Sequence, residues 1–364
     1  ESSVDCEYRC SGGVLWPASL TLLAPSQQTM TPEEKARKEI DRQLGQCGWT
    51  IQDREEMNIS AGLGVATREF PLQDGEADYL LYADGKAIGT IEAKPEGHTL
   101  TGVEVQSAAY SGALPVGVPA HHLPLPFHYE STGKETQFTN RLDPEPRSRV
   151  VFTFHRPEEL LRLAALERQL RDSLRRMPSF NAEGLWPMQV IAINNLQVSL
   201  AANRPRALLQ MATGSGKTLT AVAFVYQLLK FADAQRILFL VDRANLGRQT
   251  YREFQQYLSP YSRMNFTQEY NVQHLRSNVL APVNRVCITT IQRLYSMLRG
   301  EKEFDEGNEE QSMYETATAL LRESVPVVYN PNIPIETFDF IVIDECHRAS
   351  TTSGGKCWNT LTPS

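Results

Sequence analysis

The sequence predicts an α/β protein of two successive units: an N-terminal α/β domain centred on a β-hairpin, then a domain built on a parallel sheet. Three observations predict it. Apolar runs at Ala207–Leu209, Arg236–Asp242, Arg285–Ile291 and Phe338–Asp344 alternate with helical segments, the pattern of buried parallel strands joined by helices. The first run leads into Thr213-Gly214-Ser215-Gly216-Lys217-Thr218, and an amphipathic helix follows from Leu219 to Leu229. Upstream, the β-rich runs Asp78–Tyr82 and Lys86–Lys94 flank Ala83-Asp84-Gly85, a hairpin signal.

The strand, glycine turn, Lys-Thr and helix are a phosphate-binding loop. The glycines let successive backbone N–H groups curl around an anion at a helix N-terminus. Lys217 is placed to reach the β- and γ-phosphates of ATP, and the Thr218 hydroxyl to ligate Mg²⁺. Where the usual loop opens with glycine this one has Met211, and the resulting Met-Ala-Thr-Gly-Ser-Gly-Lys-Thr resembles the loop of superfamily 2 helicases and translocases. The apolar strand from Phe338 delivers Asp344 to the same Mg²⁺ and sets Glu345 beside it to polarise the attacking water.

Composition allows this reading without demanding it. A chain of 364 residues, 41% hydrophobic and 22% charged, is that of an ordinary globular protein. No apolar run approaches the roughly 20 residues of a membrane span, and six cysteines without paired spacing suit a reduced, cytoplasmic protein. The net charge of −7 requires any nucleic-acid contact to come from local basic patches.

In chain order, residues 1–29 mix Cys, Ser, Gly and Pro without periodicity and read as an unstructured or non-native extension, with natural translation starting at Met30. A helix follows, with Thr31 as N-cap, Pro32 at its first position, acids in the first turn, Ile40 and Leu44 on its apolar stripe, and Gly45 or Gly48 at its end. In the hairpin, Glu92 and Lys94 share a strand face. A two-residue Asp84-Gly85 turn would set Asp78 opposite Ile91, on the wrong face. A three-residue loop with Gly85 left-handed sets Asp78 opposite Thr90, diagonal to Glu92, and is the register expected here. Two carboxylates and a lysine then converge, an arrangement suited to metal-assisted phosphodiester hydrolysis: Asp78 and Glu92 hold Mg²⁺, and Lys94 stabilises charge or orients the nucleophile. Residues 111–149 are rich in Gly, Pro and His and read as loop-dominated, with His121, His122 and His128 as ordinary loop residues. A linking helix is expected within 157–182, its arginines forming a solvated face or contacting the DNA backbone, and an acidic helical excursion over 300–323.

The Asp78, Glu92, Lys94 pattern resembles the PD-(D/E)xK nuclease fold, and Gln106 with Tyr110 matches the Gln-x-x-x-Tyr motif of RecB-like nucleases. Nuclease motif followed by motor, with Asp344-Glu345-Cys346-His347 as the motor's second box, resembles the R subunit of type I restriction-modification enzymes over residues 30–348. The fold implied is a PD-(D/E)xK nuclease-like α/β domain (30–156), a linker (157–182) and a first RecA-like domain with a parallel sheet (183–350). By the same resemblance Gln189 reads the adenine edge, Arg243, Thr289 and Thr290 contact DNA, and His347 links the nucleotide site to the DNA-contacting motifs. The cofactors implied are ATP and Mg²⁺. The partners implied are double-stranded DNA and the M (methyltransferase) and S (specificity) subunits of a restriction complex, without a membrane. The activity implied is translocation of duplex DNA by ATP hydrolysis followed by cleavage. A stand-alone superfamily 2 helicase with a fused nuclease, or a non-catalytic nucleotide- or DNA-binding fragment, are the alternatives. Residues 351–364 read as an aberrant or disordered tail: a neighbouring reading frame accommodates an amphipathic helix there, and a native Gly/Thr-rich tail is the alternative. The expectation is a chain without its second motor domain that binds ATP weakly and turns over little of it.

Overall fold

A computed structural model describes residues 30–73, 75–98, 100, 114–304 and 329–344. The first element is α1 (Pro32–Gln46), and its start is as the sequence predicts. Thr31 Oγ1 accepts from Glu34 N at 3.2 Å while Glu34 Oε2 accepts from Thr31 N at 2.8 Å, a reciprocal cap that satisfies two orphan donors. Ala36, Ile40 and Leu44 form its buried stripe.

That stripe packs on a sheet of seven strands among the described residues, ordered β1 (Thr50–Gln52), β2 (Gly64–Leu72), β3 (Gly75–Ala83), β4 (Lys86–Ala93), β5 (Phe127–Ser131), β6 (Thr136–Asn140) and β7 (Arg149–Val151). The pairings β1–β2 and β4–β5 are parallel and the rest antiparallel. Strands β5 and β6 correct the expectation of a loop-dominated stretch over 111–149. Their apolar residues Phe127, Tyr129 and Phe138 belong to the core under α1, and alternation over so few residues is masked by the neighbouring Gly, Pro and His. His128 is accordingly a strand residue, buried and bonded to Thr90 Oγ1 at 2.8 Å. His121 and His122 bond to the backbone carbonyls of Ala83 and Ala164.

The hairpin register differs from the one expected. Ala83 pairs with Lys86, so the turn is two residues, Asp84 (φ 49°) and Gly85 (φ 70°), the left-handed pair of a type I′ turn. Register then shifts between Leu81 and Tyr82, leaving Ile88 over, and Tyr79 pairs with Ile91. Asp78 is thereby level with Glu92 rather than with Thr90 or Ile91. A bulge, which no turn rule anticipates, restores the face that the short turn alone would have lost.

The link to the second unit is two helices instead of one. α2 (Pro157–Ala165) puts Leu160 and Leu163 into the N-terminal core, whereas α3 (Leu170–Arg175) puts Leu174 into the C-terminal one. The second unit continues through α4 (Pro187–Ala201), α5 (Lys217–Phe231), β8 (Ile237–Val241), α6 (Ala244–Gln256), α7 (Phe266–Glu269), β9 (Val272–His274), β10 (Val286–Thr290), α8 (Ile291–Leu298) and β11 (Phe340–Ile343). Its sheet, ordered β11-β8-β10-β9, is parallel throughout. Successive residues of β8 serve opposite layers: Ile237, Phe239 and Val241 meet α4 to α6, while Leu238 and Leu240 meet α8 and Phe338. This two-sided burial explains the unbroken apolar runs.

The run Ala207–Leu209 is not a strand. Residues 205–213 are irregular, and Leu208 is 76% exposed. Both edges of β8 are taken by β10 and β11, so the segment has no ladder partner among the described residues, and an apolar run becomes a strand only beside one.

One segment crosses between the units. Ile335, just before β11, is buried in the N-terminal core with Tyr329 packed beside it. No described helix is long and apolar enough to cross a membrane.

Candidate functional sites

Two constellations hold the candidate residues. The first is a cleft of about 290 Å³ at the ends of β3 and β4, lined by Glu33, Arg37, Glu69, Asp78, Glu92 and Lys94 among others. Asp78 Oδ2 accepts from the Ala93 amide at 2.8 Å, and Oδ1 is ion-paired with Arg37 of α1. Lys94 Nζ donates to Glu92 Oε1 at 2.7 Å. Burial raises the Asp78 pKa; the Ala93 N–H and Arg37 oppose this, and the Glu92 and Glu33 charges add to it. Glu92 is thus near enough for its charge to be felt at Asp78.

Register also places a residue that the sequence did not single out. Glu130 of β5 pairs with Glu92 and is buried, so Asp78, Glu92 and Glu130 run as a row across three strands. Gly89 makes that row possible: a Cβ there would lie 2.5 Å from Phe127 O, so any side chain would push β5 off β4.

Arg37, Glu33 and Glu69 were equally invisible in the sequence. Glu33 and Arg37 read as an i,i+4 surface pair, and nothing local to Glu69 shows that β2 brings it level with Asp78. Gln106 and Tyr110 lie outside the described residues.

Hard oxygen donors suit Mg²⁺, and the Asp78 and Glu92 carboxylates in one cleft provide a pair of them. Among the described residues no cluster of three His, Cys, Asp or Glu side chains is close enough to enclose a metal by itself. Any cation here would keep water or substrate oxygens in its shell, as Mg²⁺ characteristically does.

The second constellation is the loop before α5. Gly214 (φ 79°) and Gly216 (φ 76°) are both left-handed, and a Cβ on Gly214 would meet nothing within 4 Å. The Ser215 hydroxyl donates to Ala212 O at 2.7 Å, fixing the turn that follows Thr213. Gly216 is the N-cap of α5, so Lys217 and Thr218 open the helix. Thr218 Oγ1 is 3.5 Å from Asp344 Oδ2, and the Asp344 amide donates to Leu240 O at 3.0 Å, extending the β11–β8 pairing to the site. The fit to a nucleoside triphosphate rests on this geometry: a left-handed glycine loop opening into free space, at a helix N-terminus, with a hydroxyl and a carboxylate at one point beside it.

Gln189 is placed beneath that loop. It is 3% exposed, Nε2 donates to Ser215 O at 3.1 Å and Gly216 O at 3.3 Å, and Oε1 accepts from Trp186 N. Its amide braces the loop in this arrangement. Thr289 and Thr290 are buried, and Thr290 Oγ1 caps α8 by accepting from Arg293 N at 3.2 Å. Arg243 is the N-cap of α6, 3.5 Å from the buried Asp242 carboxylate. Glu345 and His347 lie outside the described residues.

A family model described as "Type III restriction enzyme, res subunit" matches residues 183–363. The chain is 26% identical over 370 residues to the type I restriction enzyme EcoKI endonuclease subunit of Escherichia coli (strain K12), covering 87% of this chain and 29% of that protein. It is 25% identical over 333 residues to the type I restriction enzyme EcoAI endonuclease subunit of Escherichia coli, covering 86% of this chain and 35% of that protein. The fragment structure of a putative HsdR subunit of a type I restriction enzyme from Vibrio vulnificus YJ016 is 20% identical, with a TM-score of 0.29, over 87% of this chain and 52% of that one. The chain therefore spans only a minority of the length of these curated relatives, 29% and 35%.

Proposed function

For a chain homologous to type I restriction enzyme endonuclease subunits and carrying a ResIII helicase-like domain, we propose the role of ATP-driven translocase and endonuclease subunit of a type I restriction-modification assembly. It acts on double-stranded DNA beside separate M and S subunits. Residues 30–156 are the nuclease, 157–182 the linker and 183–350 the first RecA-like motor domain. The observation that carries the nuclease half is the meeting of Asp78, Glu92 and Lys94 in one cleft.

In that cleft Asp78 and Glu92 hold a divalent cation, which when bound supplies Lewis acidity to the scissile phosphate and its attacking water. The Ala93 N–H keeps one Asp78 oxygen fixed, so the carboxylate does not have to be oriented at the moment of binding. Lys94, held by Glu92, presents an ammonium to charge growing on the phosphodiester. Gln106 and Tyr110 are assigned to the same site by resemblance.

In the motor, the amides from Thr213 to Gly216 receive the phosphates at the start of α5. Lys217 offsets β/γ charge, and Thr218 with Asp344 supplies oxygens to the Mg²⁺ of ATP. Glu345 orients the attacking water. Gln189 serves the base and the loop, His347 couples the nucleotide to the track, and Arg243, Thr289 and Thr290 follow the DNA.

The test separates the two chemistries. Asp78→Ala in the intact enzyme abolishes DNA cleavage and leaves DNA-stimulated ATP turnover within about two-fold, because the proposed sites lie on different sheets. Loss of both activities in a folded protein rejects the assignment.

A further inference from the structure

Arg37 contributes nothing to the reading above, yet it meets three carboxylates of the cleft. Its Nη2 pairs with Asp78 Oδ1, Nη1 donates to Glu69 Oε1 at 2.8 Å, and Glu33 Oε1 is 3.3 Å from Nη2. Its Nε is buried without a hydrogen-bond partner among the described residues. A guanidinium pulled partly out of water, with one donor unused, is costly unless the carboxylates around it compensate.

The backbone bends to keep one of them there. Glu69 sits level with Asp78, between the pairs Arg68–Tyr79 and Phe70–Ala77. Its φ is 50°, a left-handed conformation that is strained for a residue other than glycine. That conformation accompanies its bond to Arg37.

With Arg37 on Oδ1 and the Ala93 amide on Oδ2, both Asp78 oxygens are engaged. An incoming divalent cation taken up at Oδ1 must share it with a fixed positive charge or displace that charge, and one taken up at Oδ2 still meets the same charge across the carboxylate. We propose that Arg37 is a positioning residue of the nuclease cleft, which aims Asp78 and competes with the metal for it, keeping the resting site poorly loaded. Like charges a few ångströms apart repel strongly in a half-buried cleft, whereas the same guanidinium neutralises a carboxylate pair that would otherwise repel itself. The inference rests on the proposed metal-dependent nuclease reading.

The test is direct Mn²⁺ binding to the full chain without nucleotide, by titration calorimetry and by the paramagnetic signal of free Mn²⁺, with Mg²⁺ as competitor. Arg37→Gln, and Arg37→Met as a second neutral variant retaining the apolar stem, are expected to bind Mn²⁺ about ten-fold tighter or more. Arg37→Lys, which keeps the charge, stays within about three-fold of the parent. Neutral variants that fold and bind equally or more weakly overturn the proposal, as does tightening in Arg37→Lys equal to that in Arg37→Gln. Asp78→Asn tells the two failures apart: unchanged Mn²⁺ binding in that variant removes the metal site itself, and lost binding leaves it standing while Arg37 is judged on its own.

Discussion

Arg156 and Glu336, 180 residues apart, form an ion pair at 2.7 Å between Arg156 Nε and Glu336 Oε1. The Glu336 side chain is 6% exposed and the Arg156 side chain 41%, and Glu336 Oε2 is buried without a partner among the described residues. Arg156→Ala leaves an uncompensated buried carboxylate. The expected loss is about 2 kcal/mol, below the usual cost of breaking a fully buried pair because the arginine is partly in water. Thermal unfolding of Arg156→Ala and of the double variant with Glu336→Gln checks it: the double variant should be less destabilised than the sum of the two singles.

Gly216→Ala should damage the nucleotide loop twice over. Its φ of 76° is strained for alanine, and the added Cβ would lie 2.3 Å from Gln189 Nε2, displacing the brace. Gly214→Ala incurs only the conformational cost of about 1–2 kcal/mol, because its Cβ meets open space. Binding of a fluorescent ATP analogue should fall at least ten-fold further in Gly216→Ala than in Gly214→Ala.

Gly89→Ala tests the strand contact under the cleft. Phe127 O, 2.5 Å from the new Cβ, belongs to the backbone and cannot rotate away. The expected cost is about 2–3 kcal/mol, in the range of core overpacking. Separation of β5 from β4 would also weaken Mn²⁺ binding, even though no charged group is altered.

Acid should act on the N-terminal unit through two buried histidines. Burial, aided by the Arg141 charge, holds His128 down to about 4. Burial with the Arg162 charge holds His155 down to about 3. Both ordinary values are 6.5. Above that pH neither folded nor unfolded chain binds these protons. Below it the unfolded chain does and the folded chain does not, so stability falls as pH falls, by about 1.4 kcal/mol per pH unit for each histidine. Melting midpoints should decline between pH 6.5 and 5, and His128→Asn should roughly halve the slope.

Much of this was legible because it is local. Thr31 capping α1, the glycine turn of the phosphate loop and the apolar runs of β8, β10 and β11 each depend on residues a few positions apart. What was not legible is set by distant neighbours. Asp78 comes level with Glu92 through a bulge whose effect exceeds that of the turn, so the two carboxylates share a face in a register that no turn rule gives. Arg37 became part of the cleft only when α1 settled on the sheet. Leu208 looked like a strand residue, but strand identity depends on a partner that the run itself does not encode. Strands β5 and β6 were hidden for a related reason, since five-residue strands among Gly and Pro carry too little periodicity to stand out.

The burial of Ile335 among N-terminal residues sets an order on biosynthesis. The N-terminal members of that core leave the ribosome early, and Ile335 follows only about 180 residues after Arg156. At roughly 5–20 residues per second that is an interval of about ten to forty seconds. Throughout it the nascent N-terminal unit presents an apolar opening, awaiting the segment that also leads into the strand before Asp344. Of the two units, the one translated earlier is thus finished only with the later one, and its core stays open on one side until then.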